Sequence, residues 1–310
     1  MSREERDHLL AERNTLQRIL AEIPAEDVID RSSFQARLDD VEQRIAVIPA
    51  DTRTPVRARL TFRGRPVVGS HGIFAEFGMT ATKAFTDAIS MMAAALSGPL
   101  ASSGRIPNRE QNQLLITSTA VGSFGFELEE HVNGQLLLDD ESALSLALTQ
   151  TQALLQGSVG SDDELADAAT GTDPRVVQAV REFLDNLITN DAVCTVELNG
   201  KKFSFRDVGE VRRSWERLDQ NNLHEEPQTY TGEFQGALPK RRTFEFNVTG
   251  SDVVVTGKIG PGISDVNALN THLYKPARIE VMVTRVGNGR PRYVLNKSPE
   301  WLRAQPPEST

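Results

Sequence analysis

The sequence has few of the features that usually indicate a function. It contains one cysteine, Cys194, in 310 residues, so no internal disulfide can form. Only 6% of the residues are aromatic, and no apolar run approaches the roughly 18 residues that a membrane-spanning helix requires. The N-terminus is charged and lacks the apolar stretch of a signal peptide. These absences argue against a disulfide-rich or membrane protein and predict a cytoplasmic one.

Complete catalytic, metal and nucleotide motifs are also missing. The sequence has neither a Gly-x-Ser-x-Gly elbow nor a Cys–His pair that would indicate a nucleophile. The segment from Gly250 to Lys258 is not a phosphate-binding loop, because its glycines are too far apart and Ile259 replaces the required Ser or Thr. We therefore expect no catalytic residues and no cofactor, and we keep an enzyme with an unfamiliar site as a further alternative.

The charge is unevenly distributed along the chain. The whole sequence carries a formal net charge of −9. Residues 191–310 contain 17 Lys and Arg against 15 Asp and Glu, whereas residues 1–190 contain 17 against 28. The acidic total opposes non-specific binding of phosphate backbones, but it leaves room for a local basic face on the C-terminal part.

Residues 1–49 predict an antiparallel helical hairpin. A capping-box pattern at Ser2 and Glu5 begins the first helix, and Pro24 separates it from the second. The two helices carry apolar seams at heptad-like spacing, formed by Leu9, Leu16, Leu20, Ile23, Phe34, Leu38, Val41 and Ile45. These residues are the candidate interaction surface, either as a coiled-coil arm for a partner or second copy, or as the face of an internal hairpin that packs on its own domain.

Residues 50–190 predict an α+β domain. An alternating strand over 56–62 precedes a long apolar helix over 73–97, and two strands at 113–119 and 123–129 form a hairpin. Helices follow at about 139–155 and 174–189, the second beginning at the Asp173 N-cap. The expected architecture is an antiparallel sheet covered by helices, within an overall α+β fold.

Residues 191–304 predict a β-rich domain. A hairpin over 193–205 turns at Asn199-Gly200, and a helix follows at about 207–219. Five short strands then alternate, with one helical segment near 263–272 inserted before the fourth; they lie at 228–235, 241–248, 251–258, 277–286 and 291–296. This pattern is typical of a small barrel of the OB or SH3-like kind, and residues 305–310 predict a disordered tail.

Two polar clusters are candidate ligand sites. Gly69, Ser70, His71 and Gly72 precede the 73–97 helix, where free N–H groups could hold an anion; the alternative is a plain glycine turn. Glu127, Glu129 and His131 form the densest group of metal-ligand residues, with the two glutamates on one face of a strand. The alternative for this cluster is a set of solvated residues at the end of a hairpin.

The barrel segment also carries candidate nucleic-acid contacts, because small barrels bind single strands through basic grooves and aromatic platforms. Suitable cationic residues lie beside aromatic ones; they are Lys240, Arg241, Arg242, Lys275, Arg290 and Arg292. The alternative is a set of solvated strand ends whose charges protect sheet edges.

One stretch carries a family resemblance. Leu60-Thr-Phe-Arg-Gly-Arg-Pro-Val-Val68, the helix after it and the Gly122-Ser-Phe-Gly-Phe126 hairpin resemble a diffuse group of uncharacterised bacterial proteins. In that group a strand, a long helix and a Gly-Ser-Phe-x-Phe hairpin recur. The resemblance spans residues 55–130 and implies a bacterial accessory or immune component linked to phage-defence or mobile-element loci. It identifies no catalytic residue.

These observations favour a non-enzymatic interaction protein of a bacterial cytoplasmic complex, which forms a homo-oligomer or binds a protein partner. The paired helical seams and the lack of chemical motifs support this hypothesis. A nucleic-acid-binding accessory protein that uses the barrel is the main alternative.

Overall fold

The computed structural model describes residues 3–24, 27–47, 55–120, 124–131, 142–287 and 289–302. The chain divides into two compact units, Met1–Pro55 with Val132–Asp140 and Val56–His131 with Glu141–Thr310. No helix within the described ranges is long and apolar enough to cross a membrane.

The first unit contains two helices, α1 (Arg3–Glu22) and α2 (Val28–Val47). They run antiparallel: Arg31, early in α2, donates to a carbonyl at the end of α1 (3.0 Å), while Arg37, further along α2, reaches Glu12 in the middle of α1 (2.7 Å). The two apolar seams face each other: Leu9, Leu16, Leu38 and Val41 are buried, and Leu20, Phe34 and Ile45 pack against them. The predicted two-helix start is confirmed.

The second unit begins with an antiparallel sheet. In chain order its first strands are β1 (Arg57–Gly64), β2 (Val67–Val68), β3 (Gly72–Ile73), β4 (Leu114–Thr119), β5 (Phe124–Glu130), β6 (Ala192–Leu198) and β7 (Lys201–Ser204). Five of them form a sheet in the order β4-β5-β1-β6-β7, and β2 and β3 form a separate small hairpin. Because side chains alternate along a strand, β1 directs Ala58, Leu60 and Phe62 into the core.

Helices cover this buried face. They are α3 (Ala75–Ser97), α4 (Ala143–Val159), α5 (Asp162–Ala169), α6 (Pro174–Thr189) and α7 (Val208–Arg217), with a 3-10 turn at Arg109–Gln111. The long helix α3 packs on α6, where Phe85 and Phe183 meet edge to face with ring centroids 5.4 Å apart. Helix α6 begins as the sequence predicts, since Asp173 accepts a hydrogen bond from the Arg175 N–H (2.8 Å). The predicted helix-covered antiparallel sheet is confirmed.

The predicted boundary at residue 191 differs from the structure. The hairpin of β6 and β7 does turn at Asn199-Gly200, which have φ angles of 50° and 76°. However, β6 pairs with β1, placing Val196 opposite Leu60. The hairpin therefore completes the first sheet instead of opening the barrel, whose first strand begins at Leu223.

The C-terminal strands form a closed barrel. They are β8 (Leu223–Leu238), β9 (Thr243–Val248), β10 (Val254–Ile259), β11 (Pro276–Val286), β12 (Arg292–Leu295) and β13 (Glu300–Trp301), with helix α8 (Asn267–Asn270) between β10 and β11. The first half of β8 pairs with β11 and its second half with β9, while β10 and β12 close the barrel in parallel. The five-stranded barrel predicted from the alternating pattern is thus confirmed, and its strand order with an inserted helix is that of an OB barrel.

The barrel has its own aromatic core. Phe234 is completely buried and contacts Phe244, Phe246 and Trp301, with ring centroids 6.1, 5.0 and 5.7 Å away. Edge-to-face contacts of this kind add to the stabilisation that burial of the rings provides.

Charged contacts join the barrel to α5. Arg292 donates to Asp167 (2.5 Å) and reaches Asp163 (3.4 Å), and Lys258 donates to the Asp167 carbonyl (3.2 Å). The hydrogen bond from Arg292 lowers the pKa of the Asp167 carboxyl below its ordinary value. On the helical side, Arg217 bonds to Asp162 (2.8 Å). The acidic residues of α5 thus hold one end of the barrel.

Candidate functional site

The candidate anion site forms a turn. Gly69, Ser70 and His71 occupy the tip between β2 and β3, where the His71 N–H donates to the Val68 carbonyl (2.9 Å). Gly69 has φ of 56°, which glycine adopts without strain. Strand β3, which contains Gly72, and one further residue separate this tip from α3. The four residues therefore do not surround the helix start, and the plain-turn interpretation fits.

The glutamates of the candidate metal cluster pair with arginines. Glu127 accepts from Arg59 (2.9 Å) and Glu129 from Arg57 (2.9 Å), both across the β1–β5 pair. These arginines neutralise the carboxylates that a cation would need. In the described part of the chain, no group of three His, Cys, Asp or Glu residues can hold a metal ion. These pairs favour the alternative of residues at the end of a hairpin, and the prediction of Glu127, Glu129 and His131 as ligands stays untested.

Two of the six candidate nucleic-acid cations have structural roles. Arg242, at φ of 48°, donates to the carbonyls of Ile259 (3.1 Å), Gly260 (2.6 Å) and Ile263 (2.7 Å). Arg242 thereby holds the segment after β10 against the β8–β9 turn. Arg292 binds Asp163 and Asp167 of α5. Reversing the charge of Arg242 would disturb the fold, so a nucleic-acid test must leave it intact.

The remaining four cations do not form one patch. Lys240 and Arg241 are exposed in the β8–β9 turn, and Lys275 precedes β11. Arg290 lies in the β11–β12 connection, beside the opposite end of β8, because Val286 pairs with Leu223. Arg290 therefore lies at the other end of the barrel from Lys240 and Arg241.

The outward face of β9 and β10 also lacks aromatic side chains. In OB barrels this face binds oligonucleotides. Since the phenylalanines of β9 point inward, the face consists of Thr243, Glu245, Asn247, Val254, Thr256 and Lys258. It offers no stacking platform for bases, and the nucleic-acid hypothesis stays an untested prediction.

The candidate interaction residues of the hairpin lie on its inside. Leu9, Leu16, Leu38 and Val41 are between 1% and 7% exposed because α1 and α2 cover each other's seams. A partner could reach these side chains only by separating the helices. The two interpretations given for the seams, a docking arm and a hairpin that packs on its own domain, stay predictions.

The two edges of the first sheet differ in chemistry. Strand β7 has only four residues and carries Lys201 and Lys202, and lysines on edge strands prevent further pairing. Strand β4 has six residues, Leu-Leu-Ile-Thr-Ser-Thr, with no charge and no proline. Leu115 and Ile116 are 43% and 57% exposed. One edge is thus protected and the other is open.

A cleft of about 530 Å³ lies between α6 and the barrel. Its volume falls within the range of small-molecule sites. The lining combines apolar side chains of α6 and β11, including Val177 and Met282, with the polar residues Arg181 and Glu225. No local sequence pattern indicates this cleft, because α6 and β11, which form its walls, lie far apart along the chain.

Cys194 is buried in β6, as expected for a small apolar residue. Burial raises the pKa of its thiol well above the ordinary value, so the neutral thiol persists at pH 8. We expect iodoacetamide to alkylate the native protein at least about 100-fold more slowly than the urea-unfolded protein, measured by mass spectrometry. Complete labelling of the folded protein within minutes would contradict this.

Comparison with known proteins reveals no relative: no family model, no curated protein and no solved structure matches this chain. The two features that indicate a function are therefore the edge of β4 and the cleft beside α6.

Proposed function

We propose that the protein is a non-enzymatic assembly component that pairs with a second copy of itself through the free edge of β4. The observation that carries this proposal is the contrast between the two edges of the first sheet. Natural sheets protect their edges with charges, short strands or prolines. Here β7 has both short length and lysines, while β4 has six uncharged residues.

The backbone of β4 supplies the affinity. Among the described residues the strand pairs with β5 on one side only, and the N–H and C=O groups of its other side can pair with an added strand. The exposed Leu115 and Ile116 side chains add apolar surface that such pairing would cover. A register shift between Ile116 and Ser118 twists the strand there, a feature that hinders pairing at sheet edges, so the proposed pairing uses the residues before it, Leu114, Leu115 and Ile116.

The composition of β4 favours a second copy as the occupant. Most homo-oligomers use two-fold symmetry, in which a surface meets itself. An antiparallel pair of β4 strands has this symmetry, and it brings no like charges together because the strand has none. The two five-stranded sheets would then join into one sheet of ten strands across the symmetry axis.

The proposed assembly surface is the sheet edge, whereas the sequence indicates the hairpin seam. The seam residues already cover each other, whereas β4 is paired on one side only. The cytoplasmic location and the link to phage-defence loci stay predictions from the sequence.

The substitution Ile116→Lys tests the proposal. In a symmetric pair it places a charge on each of two adjoining strands, so we expect the dimer dissociation constant to rise at least about tenfold. The measurement is molar mass by size-exclusion chromatography with light scattering, over about 1–100 μM. The full chain is used, and circular dichroism verifies that the variant is folded.

Val254→Lys is the matched control. Val254 is 53% exposed in a strand of the barrel, close to the 57% of Ile116, so both variants add the same charge at similarly exposed strand positions. The control should remain dimeric. A native protein that is monomeric throughout, or a dimer that Ile116→Lys does not weaken, would overturn the proposal. So would equal dissociation of both variants.

A further inference from the structure

One carboxylate in the cleft has no cationic partner. Glu225 Oε1 accepts a hydrogen bond from the Thr284 hydroxyl (3.2 Å). No Lys, Arg or His side chain in the described part of the chain pairs with it. Thr284 is buried and lies opposite Glu225 in the β8–β11 pair, so this contact fixes the carboxylate against the barrel wall.

Strand alternation directs Glu225 into the cleft. It shares a face of β8 with Leu223, which packs against the helix-covered core. His224 and Glu226 fall on the opposite face, where Glu226 accepts from Gln228 (2.5 Å). His224 and Glu226 also line the cleft, and the bond to Thr284 distinguishes Glu225 from them.

The other charges around the cleft leave it negative. Arg181 pairs with Asp219 (2.8 Å), and its guanidinium lies over the Trp215 ring, 4.4 Å from the centroid. Its charge is therefore already neutralised. Asp173, at the start of α6, lies close enough to repel Glu225 electrostatically. The resulting potential attracts a cation and repels an anion.

The rest of the lining combines apolar and polar side chains. Ala169, Val177 and Leu218 come from the helical side, and Leu223 and Met282 come from the barrel side. The polar members are Thr172, Gln178, Gln220, His224 and Glu226. In small-molecule sites apolar walls bind the carbon skeleton and a few polar groups set its orientation.

We propose that this cleft binds a small organic cation, a primary amine on an apolar chain, whose ammonium group pairs with Glu225 while its chain covers the apolar walls. A charge-assisted hydrogen bond to the carboxylate supplies the specificity. The site lies away from β4, and its occupancy does not depend on the proposed dimer.

The electrostatic surroundings of Glu225 support the choice of ligand. The protein atoms that surround Glu225 raise the pKa of its carboxyl above the ordinary value, and the nearby Asp173 raises it further. Although the side chain remains open to water at the cleft mouth, its ionised form lacks full solvation. A bound ammonium stabilises that ionised form. A divalent metal would need more ligands, and the described residues offer no group of three.

The probe is n-hexylammonium, titrated calorimetrically into the full-length protein at pH 8. The neutral 1-hexanol and the anionic hexanoate have the same chain and serve as ligand controls. We expect hexylammonium to bind at least about tenfold more tightly than hexanol, and hexanoate not to bind. Equal binding of the amine and the alcohol would overturn the proposal, as would no amine binding up to about 10 mM.

Glu225→Gln removes the charge and keeps the size of the side chain. We expect it to weaken hexylammonium binding at least about tenfold, with little effect on hexanol. Glu245→Gln is the matched control, since it makes the same change at an exposed strand position of the barrel outside the cleft lining, and its affinity should equal that of the native protein. Unchanged binding by Glu225→Gln, or equal loss in both folded variants, would refute the assignment.

Discussion

Replacing Phe234 by alanine is expected to lower the free energy of unfolding of the barrel by about 3–5 kcal/mol. The ring is 0% exposed and contacts three other aromatic residues, including Trp301. Its removal therefore forfeits both apolar burial and edge-to-face contacts, and it leaves a cavity in a small core. Phe234→Leu fills most of that space and should cost less than about 1.5 kcal/mol.

The two tryptophans allow the barrel to be followed separately. Trp301 lies in the barrel, whereas Trp215 belongs to α7 in the helical layer. In a Trp215→Phe background, urea unfolding monitored by fluorescence reports on the surroundings of Trp301 alone. A Phe234→Ala midpoint equal to that of Phe234→Leu would show that the ring does not stabilise the barrel.

Gly125→Ala is expected to destabilise the first sheet by at least about 3 kcal/mol. A Cβ atom at this position would lie 2.1 Å from the Leu60 carbonyl oxygen and 2.5 Å from the Thr61 Cα atom. Both are backbone atoms of the central strand β1. Only a separation of β1 from β5 can relieve these contacts, and that movement breaks ladder hydrogen bonds.

Gly236→Ala provides the control for this prediction. It is another strand glycine, in β8, and an added Cβ there meets no atom within 4 Å. We expect its free energy of unfolding to change by less than about 1 kcal/mol. The two variants are compared by urea unfolding followed by circular dichroism. Similar stabilities would show that the close approach of β5 to β1 does not require glycine.

The elements that the sequence predicts best depend on local signals. Asn199-Gly200 adopts the positive φ angles that its turn requires, and Asp173-Pro174 begins a helix where capping chemistry predicts it. The five barrel strands follow from their alternation, since Phe244 and Phe246 must share the inner face. Each of these signals lies within a few residues of its effect.

Long-range pairing explains the predictions that differ. Alternation over 193–205 indicates a hairpin, but it does not specify that β6 pairs with β1, which lies more than 100 residues earlier. Glu127 and Glu129 look like metal ligands until the register of β5 on β1 places arginines opposite them. Both differences depend on contacts that no local pattern encodes.

Local sequence patterns do not predict the two candidate sites, for the same reason. From the sequence, Glu225 is expected to be an ordinary solvated residue of a strand. Only the position of α6 places it in a cleft. The open edge of β4 depends on the sheet order, which places β4 outermost. Composition could have indicated that β4 has no charge, but not that one side of it is free.

The central position of β1 affects how the protein is synthesised. Both neighbours of this strand lie later in the chain, and β6 ends at Leu198, well after β1 ends at Gly64. At elongation rates of about 5–20 residues per second, β1 waits roughly 7 to 27 seconds for its last partner. During that interval the side of β1 that pairs with β6 is an open strand edge on the nascent chain, and open edges favour association between chains.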